Sequence, residues 1–222
     1  MTIHSFGAGH PDDRGHVVLL GDSILDNGAY TSGGPDVITQ LERLMPAGWA
    51  ATLLAVDGSV IADLPTQLAR IPADATHLVI SIGGNDVLAN MDALGLKVRS
   101  AAEALFRIGQ RVDHFERAYR QAIDQALGSH HETIICTIYN GNLPPEEAAV
   151  ARIGLRAFND VILRVAFEHK LSVIDLRLIC SEPADYANPI EPSSIGGEKI
   201  ARAIVRSLGL TKEPWQPSRV FS

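Results

Sequence analysis

The sequence predicts an α/β fold, a three-layer α/β/α sandwich on a five-stranded parallel sheet. Three observations carry that prediction. Five short β-branched or leucine-rich runs recur along the 222 residues. Each is apolar at consecutive positions, the pattern of strands covered on both faces. Helical patterns fill the intervals, and strands alternating with helices imply right-handed βαβ crossovers.

Taken in order, the strand runs are residues 16–20 (HVVLL), 51–56 (ATLLAV), 77–82 (HLVISI), 133–138 (TIICTI) and 171–176 (LSVIDL). The clearest helix spans 97–127, where Leu105, Ile108, Val112, Phe115, Tyr119 and Ile123 recur at three- and four-residue steps on one stripe. A second spans 145–169 and carries Ala148, Ile153, Phe158, Ile162, Val165 and Phe167. Pro192 and Ser193 open a terminal helix that runs through Glu198, Ile200, Ala203 and Leu208, and Gly209 is placed to stop it. No linker, repeat or low-complexity stretch interrupts the pattern, so one domain over 1–222 is expected. Residues 1–14 read as a flexible N-terminal arm, and 211–222 as a surface tail docked by Trp215 and Phe221.

Composition narrows the function. Nineteen Lys and Arg against 26 Asp and Glu give a net charge of −7, and no basic run reaches five residues. Phosphate-backbone binding is therefore not the expected task. No stretch approaches the roughly 18 apolar residues of a membrane span. The first 14 residues lack the cationic and apolar segments of a secretory leader, so a cytoplasmic protein is expected. Cys136 and Cys180 sit in apolar contexts and are too few for a disulfide scaffold or a zinc site, so both are expected as buried thiols.

In an open parallel sheet, ligands bind beyond the carboxyl ends of the strands. The first strand ends in Gly21-Asp22-Ser23, followed by Ile24-Leu25-Asp26-Asn27-Gly28. A serine at this turn is a nucleophile if a base reaches it and donors hold the oxyanion. Alternatively, Asp22 or Ser23 caps a following helix. The second strand is followed by Asp57-Gly58-Ser59 and the third by Gly83-Gly84-Asn85-Asp86. Each is readable as an ordinary turn. A serine, a glycine and an asparagine at three successive strand ends also form a nucleophile with two further oxyanion donors.

With VVLLGDSILDNG, DGS and SIGGND in this order, the chain resembles the SGNH or GDSL hydrolases, a family of esterases, lipases and related acyl hydrolases. The resemblance extends to the closing helix with GGEKIA. It implies a flavodoxin-like sandwich and serine-dependent hydrolysis of a carboxylic ester or thioester through an acyl-enzyme on Ser23. By the same resemblance, the backbone N–H groups of Ser23 and Gly58 and the Asn85 amide form the oxyanion hole. No cofactor or metal is implied, and the partner is a small-molecule ester.

The family places an Asp and a His three residues apart in the loop before the last helix. Here the loop reads DYANPIEPSSIG, from Asp185 to Gly196, and contains no histidine. Anchoring on Gly196 puts Asn188 at the Asp position and Glu191 at the His position. Sliding back three residues makes Asp185 the acid and leaves Asn188 at the base position. All eight histidines lie elsewhere: His4, His10, His16, His77, His114, His130, His131 and His169. Glu191 is then the leading base, with its pKa raised by burial against Pro189, Ile190 and Pro192, and with Asn188 hydrogen-bonding it without adding charge. A helix cap or a substrate contact is the other role open to Glu191.

The missing histidine also motivates an alternative function, a catalytically weakened binding protein for an acyl or carboxylate ligand. A flavin or nucleotide site has little support, because the first turn has neither G-x-G-x-x-G nor a Walker lysine. Segments 88–99 and 140–145 are placed to shape the acyl and alcohol pockets. Self-association is left open by the sequence.

Overall fold

The structure, a computed structural model, describes residues 14–211 together with Ser218 and Val220. The N-terminal arm up to residue 13 and the proposed anchors Trp215 and Phe221 lie outside the described residues. One parallel sheet holds all five strands, in the order β2-β1-β3-β4-β5. The strands are β1 Gly15–Gly21, β2 Trp49–Leu53, β3 His77–Ser81, β4 Glu132–Cys136 and β5 Ser172–Ile174. Each predicted run finds its strand, with ends shifted by no more than three residues. β1 is an inner strand, next to the edge: Val18 pairs with Thr52 on one side and with Leu78 on the other.

The helices are α1 Val37–Leu44, α2 Leu64–Leu68, α3 Gly84–Leu88, α4 Ala101–Leu127, α5 Pro145–His169, α6 Leu176–Ile179 and α7 Ser194–Ser207. Successive strand residues alternate between two cores, which is why the runs carry no polar phase. On one face Val18, Leu20, Leu78, Ile80 and Ile135 pack against Leu64 of α2, Tyr119 and Ile123 of α4, and Val161 and Val165 of α5. On the other, Val17, Leu19, Val79 and Ile134 meet Val37 and Leu41 of α1 and Ile200 and Ile204 of α7.

α4 starts later than its periodicity predicts, because Ser100 caps it by accepting a hydrogen bond from the Glu103 N–H at 3.1 Å. Its apolar stripe also divides in two. Phe115, Tyr119 and Ile123 are buried in the core, whereas Leu105 is 69% exposed. In α5, Phe158 is buried while Ile153 is 68% exposed. Periodicity reports which face of a helix is apolar and says nothing of where its partner ends.

The chain leaves β1 for the edge strand β2, returns through α2, and enters the sheet again on the far side of β1 as β3. The connections therefore diverge from β1 in opposite directions, and the crevice lies beyond the carboxyl ends of β1 and β3.

Candidate active site

β1 ends in Gly21, whose φ is +132° and whose added Cβ would lie 1.7 Å from the Ser81 carbonyl oxygen. Only glycine fits so close to β3. Gln67 of α2 braces this strand end. Its amide accepts from the Gly21 N–H at 2.7 Å and donates to the Gly21 carbonyl at 2.8 Å and to Ser59 Oγ at 3.2 Å. The chain then turns sharply. The Asp22 carbonyl accepts from the Leu25 N–H at 3.1 Å, and Asp22 Oδ1 accepts from the Ile24 N–H at 3.2 Å. Asp22 thus caps a turn, and no α-helix starts there. Ser23 sits on that turn, 7% exposed.

The second and third strand ends are laced to the first. Asp26 accepts from the Asp57 N–H at 2.9 Å, and the Tyr30 hydroxyl donates to Asp57 at 2.7 Å. Gly58 follows with φ +81°. Asn85, in the first turn of α3, donates one amide hydrogen to the Ser59 carbonyl at 2.9 Å, which leaves its second free to point elsewhere. Among the described residues, the Ser23 and Gly58 N–H groups have no protein acceptor. Gly58 is exposed and is absent from the wall of the cavity in front of Ser23, whereas Ser23, Asn85, Asp22 and Glu191 all line it.

The loop before α7 supplies the facing wall. Asp185 is fully buried and points away from Ser23, pairing with Lys199 Nζ at 2.6 Å and accepting from the Glu182 N–H at 2.9 Å. Its carbonyl accepts from the Ser193 N–H at 2.8 Å and lies 2.1 Å from where a Cβ on Gly196 would stand. That contact is why a glycine is needed there, and Glu191, five residues before it, faces Ser23. Asp185 holds the loop and does not reach the site. Asn188 Oδ1 accepts from the N–H groups of Ile190 and Glu191, each at 2.9 Å. It therefore holds Glu191 by its backbone and does not bond the carboxylate as the sequence predicts. The helix cap is Ser193, whose Oγ accepts from Ile195 and Gly196, so Glu191 is not a cap.

Two clamps on this loop escaped the sequence reading. The amide of Asn27, fully buried, donates to the carbonyls of Pro192 at 3.2 Å and Ser193 at 3.3 Å. The Tyr139 hydroxyl donates to the Ile190 carbonyl at 2.5 Å. Asn27 stood in the GDSILDN block and offered a signal, since a buried asparagine requires partners. Tyr139 offered none.

Electrostatics separate the two carboxylates. Asp22 is buried and pushed up to about 7, chiefly by loss of hydration; the Ile24 N–H opposes this and the charge of Glu191 adds to it. Glu191 is also raised by burial, while the Ser23 hydroxyl favours its ionised form and the charge of Asp57 opposes it. Ser23 and Glu191 face one another without forming an aligned hydrogen bond, as is common before a substrate compresses a site. Asp22 Oδ2 and Glu191 Oε2 are buried with no hydrogen-bond partner.

No described histidine lines this cavity. His16 bonds Thr52 at 2.8 Å, His77 lies 3.3 Å from Glu132, and His169 lies 3.3 Å from Asp124. His114 lines an adjoining recess with Arg107 and Arg111, and that recess shares Asn90 and Arg111 with the Ser23 cavity. His4 and His10 lie outside the described residues. Among the described residues no group of three or more His, Cys, Asp or Glu is placed to hold a metal ion.

Over residues 19–195 the chain matches the model of the GDSL-like lipase/acylhydrolase family. The chain belongs to that family. Solved structures agree on the fold. A phospholipase A1 from Streptomyces albidoflavus NA297 superposes with a TM-score of 0.67 at 13% identity, over 88% of this chain and 100% of that one. An acetyl xylan esterase from Geobacillus stearothermophilus gives 0.67 at 19% identity, over 93% and 100%. An extracellular lipase from Streptomyces rimosus gives 0.63 at 15%, over 87% and 99%. No curated protein matches the chain in sequence. Membership of the GDSL-like family makes ester hydrolysis the class of chemistry to which the site belongs. No described helix is long and apolar enough to cross a membrane.

Proposed function

We propose that the protein is a single-domain serine esterase in which Glu191 replaces the usual imidazole as general base. The observation that carries this is the apposition of the Ser23 hydroxyl and the buried Glu191 carboxylate at the mouth of one cavity. Ser23 Oγ attacks the ester carbonyl carbon while its proton passes to Glu191. The oxyanion that forms is held by the N–H groups of Ser23 and Gly58 and by the free amide hydrogen of Asn85. Collapse breaks the ester bond, and the leaving alkoxide takes the proton from Glu191. Water then attacks the acyl-enzyme, gives its proton to Glu191, and Ser23 Oγ leaves reprotonated.

Glu191 suits this task better than Asp22. Both are raised above the ordinary carboxylate range, but the group that faces the Ser23 hydroxyl is Glu191. Asp22, with one oxygen tied to the Ile24 N–H, holds the turn on which Ser23 sits. Cys136 and Cys180 are both free and buried, in keeping with a cytoplasmic placement. The extracellular lipase among its structural likenesses shows that the fold by itself does not fix the compartment.

The test is covalent. A fluorophosphonate should label Ser23 in the full chain, and Ser23→Ala should abolish both labelling and turnover of a nitrophenyl ester. A second reading, a weakened binder of acyl or carboxylate ligands, is favoured by the absence of any described histidine from the cavity wall. Stabilisation by an ester with neither turnover nor a Ser23 adduct would establish it in place of the first.

A further inference from the structure

We infer that the cavity in front of Ser23 is a gauge for a medium-length linear acyl chain, and that Gly154 of α5 sets its length. The inference rests on the proposed esterase chemistry and names its substrate class. The cavity is walled by Ile24, Val87, Ile108, Leu143, Leu155 and Phe158, from α3, α4, α5 and the loops between. Polar groups are sparse on this wall. Arg111, its one guanidinium, is already engaged with both carboxylate oxygens of Asp92, at 2.8 and 2.9 Å, and with Asn90 at 2.9 Å. The pocket thus offers few free donors to a sugar or a charged acyl group and much apolar surface to an alkyl chain.

The size of the guest follows from what is left uncovered. Leu88, Met91, Leu94 and Val150 line the cavity yet are 40%, 49%, 52% and 48% exposed. An acetyl group at Ser23 is too small to cover four such side chains. The cavity, about 170 Å³ in volume and partly open to solvent, is slightly larger than a ~150 Å³ apolar cavity that takes one benzene, so it holds about six carbons. Chains of about eight carbons therefore fill the pocket and reach its rim.

Gly154 lines that space. A glycine inside a helix costs roughly 1 kcal/mol relative to alanine. Here a Cβ would meet nothing within 4 Å. Packing of the fold therefore does not require glycine at this position. Its position on the cavity wall gives it another use, since any side chain there would project into the space left for the guest.

The experiment is a series of p-nitrophenyl esters from acetate to palmitate, hydrolysed by the full chain, by Gly154→Phe and by Ile108→Trp. Each methylene buried should raise kcat/KM by about fourfold, the equivalent of ~0.8 kcal/mol, up to a maximum near octanoate. Gly154→Phe should move the maximum to butanoate or shorter. Ile108→Trp, on the facing helix, should move it in the same direction and decides the matter if circular dichroism shows Gly154→Phe to be unfolded. Methyl octanoate should raise the melting temperature of Ser23→Ala where methyl acetate does not, because the chain pocket does not depend on the nucleophile. A Ser23-dependent activity that is greatest on acetate, or a length profile that neither variant shifts, overturns the gauge while leaving the esterase reading intact. Absence of turnover with octanoate-selective stabilisation retained overturns the esterase reading and leaves the gauge.

Discussion

The two ends of the sheet treat polar groups in opposite ways. At the amino end, His16 bonds Thr52 and approaches Asp74 at 3.1 Å, and His77 meets Glu132 and the ring of Trp49. There the titratable groups serve the fold. At the carboxyl end, Asp22 and Glu191 are both buried, at 1% and 8% exposure, yet each has an oxygen with no partner. Desolvating a carboxylate without a partner costs several kcal/mol unless it takes up a proton, and the cost appears as a raised pKa. The six described histidines, suited to acid–base chemistry by type, are thus absent from the site, and two carboxylates made basic by burial occupy it. Where a fold leaves buried polar groups unpartnered is a better guide to its chemistry than which residues it contains.

The largest effect that sharpens the contrast is at the proposed nucleophile: Ser23→Ala should lower kcat/KM for a nitrophenyl ester by roughly 10⁴-fold or more, with the fold retained by circular dichroism. Glu191→Gln should lower kcat by about 10²–10⁴-fold while melting no earlier than the parent at pH 8, since it removes an unpaired buried charge. Asn85→Ala, which deletes one proposed oxyanion donor, should cost about 10²–10³-fold in kcat with KM little changed.

Next comes a stability effect whose sign depends on pH. Asp22 is raised in the folded chain from 3.8 to about 7. Stability is therefore greatest with the group protonated, below about pH 4, and is lost as pH rises toward 7. Asp22→Asn should accordingly melt higher than the parent at pH 8, by up to ~4 kcal/mol in unfolding free energy, with the gap closing below pH 4. The smallest change is at the other end. His16→Ala should cost ~1 kcal/mol of stability through its lost hydrogen bond and leave kcat/KM within about twofold. A tenfold loss of activity there would break the division between the two ends.

The sheet was legible because strands buried on both faces leave an uninterrupted apolar run, and the switch at β1 and β3 put Ser23 and Asn85 at one crevice. Glu191 was legible through Gly196, whose closeness to the Asp185 carbonyl demands glycine and so anchors the register. What holds Glu191 in place was not. Asn27 reaches carbonyls 165 and 166 residues away, and Tyr139 reaches one 51 residues away. Single side chains that bond distant backbone have no period and no spacing to betray them. Asn188 was misjudged for a related reason: composition shows an amide beside a carboxylate, whereas the chain path shows that the amide spends its acceptor on two N–H groups. The exposed half of the α4 stripe belongs to the same class, since Ile108 faces a cavity and Tyr119 the core.

The central claim is that Glu191 takes the proton of Ser23, and the pH dependence of phosphonate labelling at Ser23 tests it most directly. The parent should be labelled faster as pH rises through an ionisation above the ordinary glutamate range, and Asp22→Asn should keep that acid limb. Glu191→Gln should be labelled at least about 10²-fold more slowly at pH 8. Labelling of Glu191→Gln at the parental rate with the parental profile would contradict the claim.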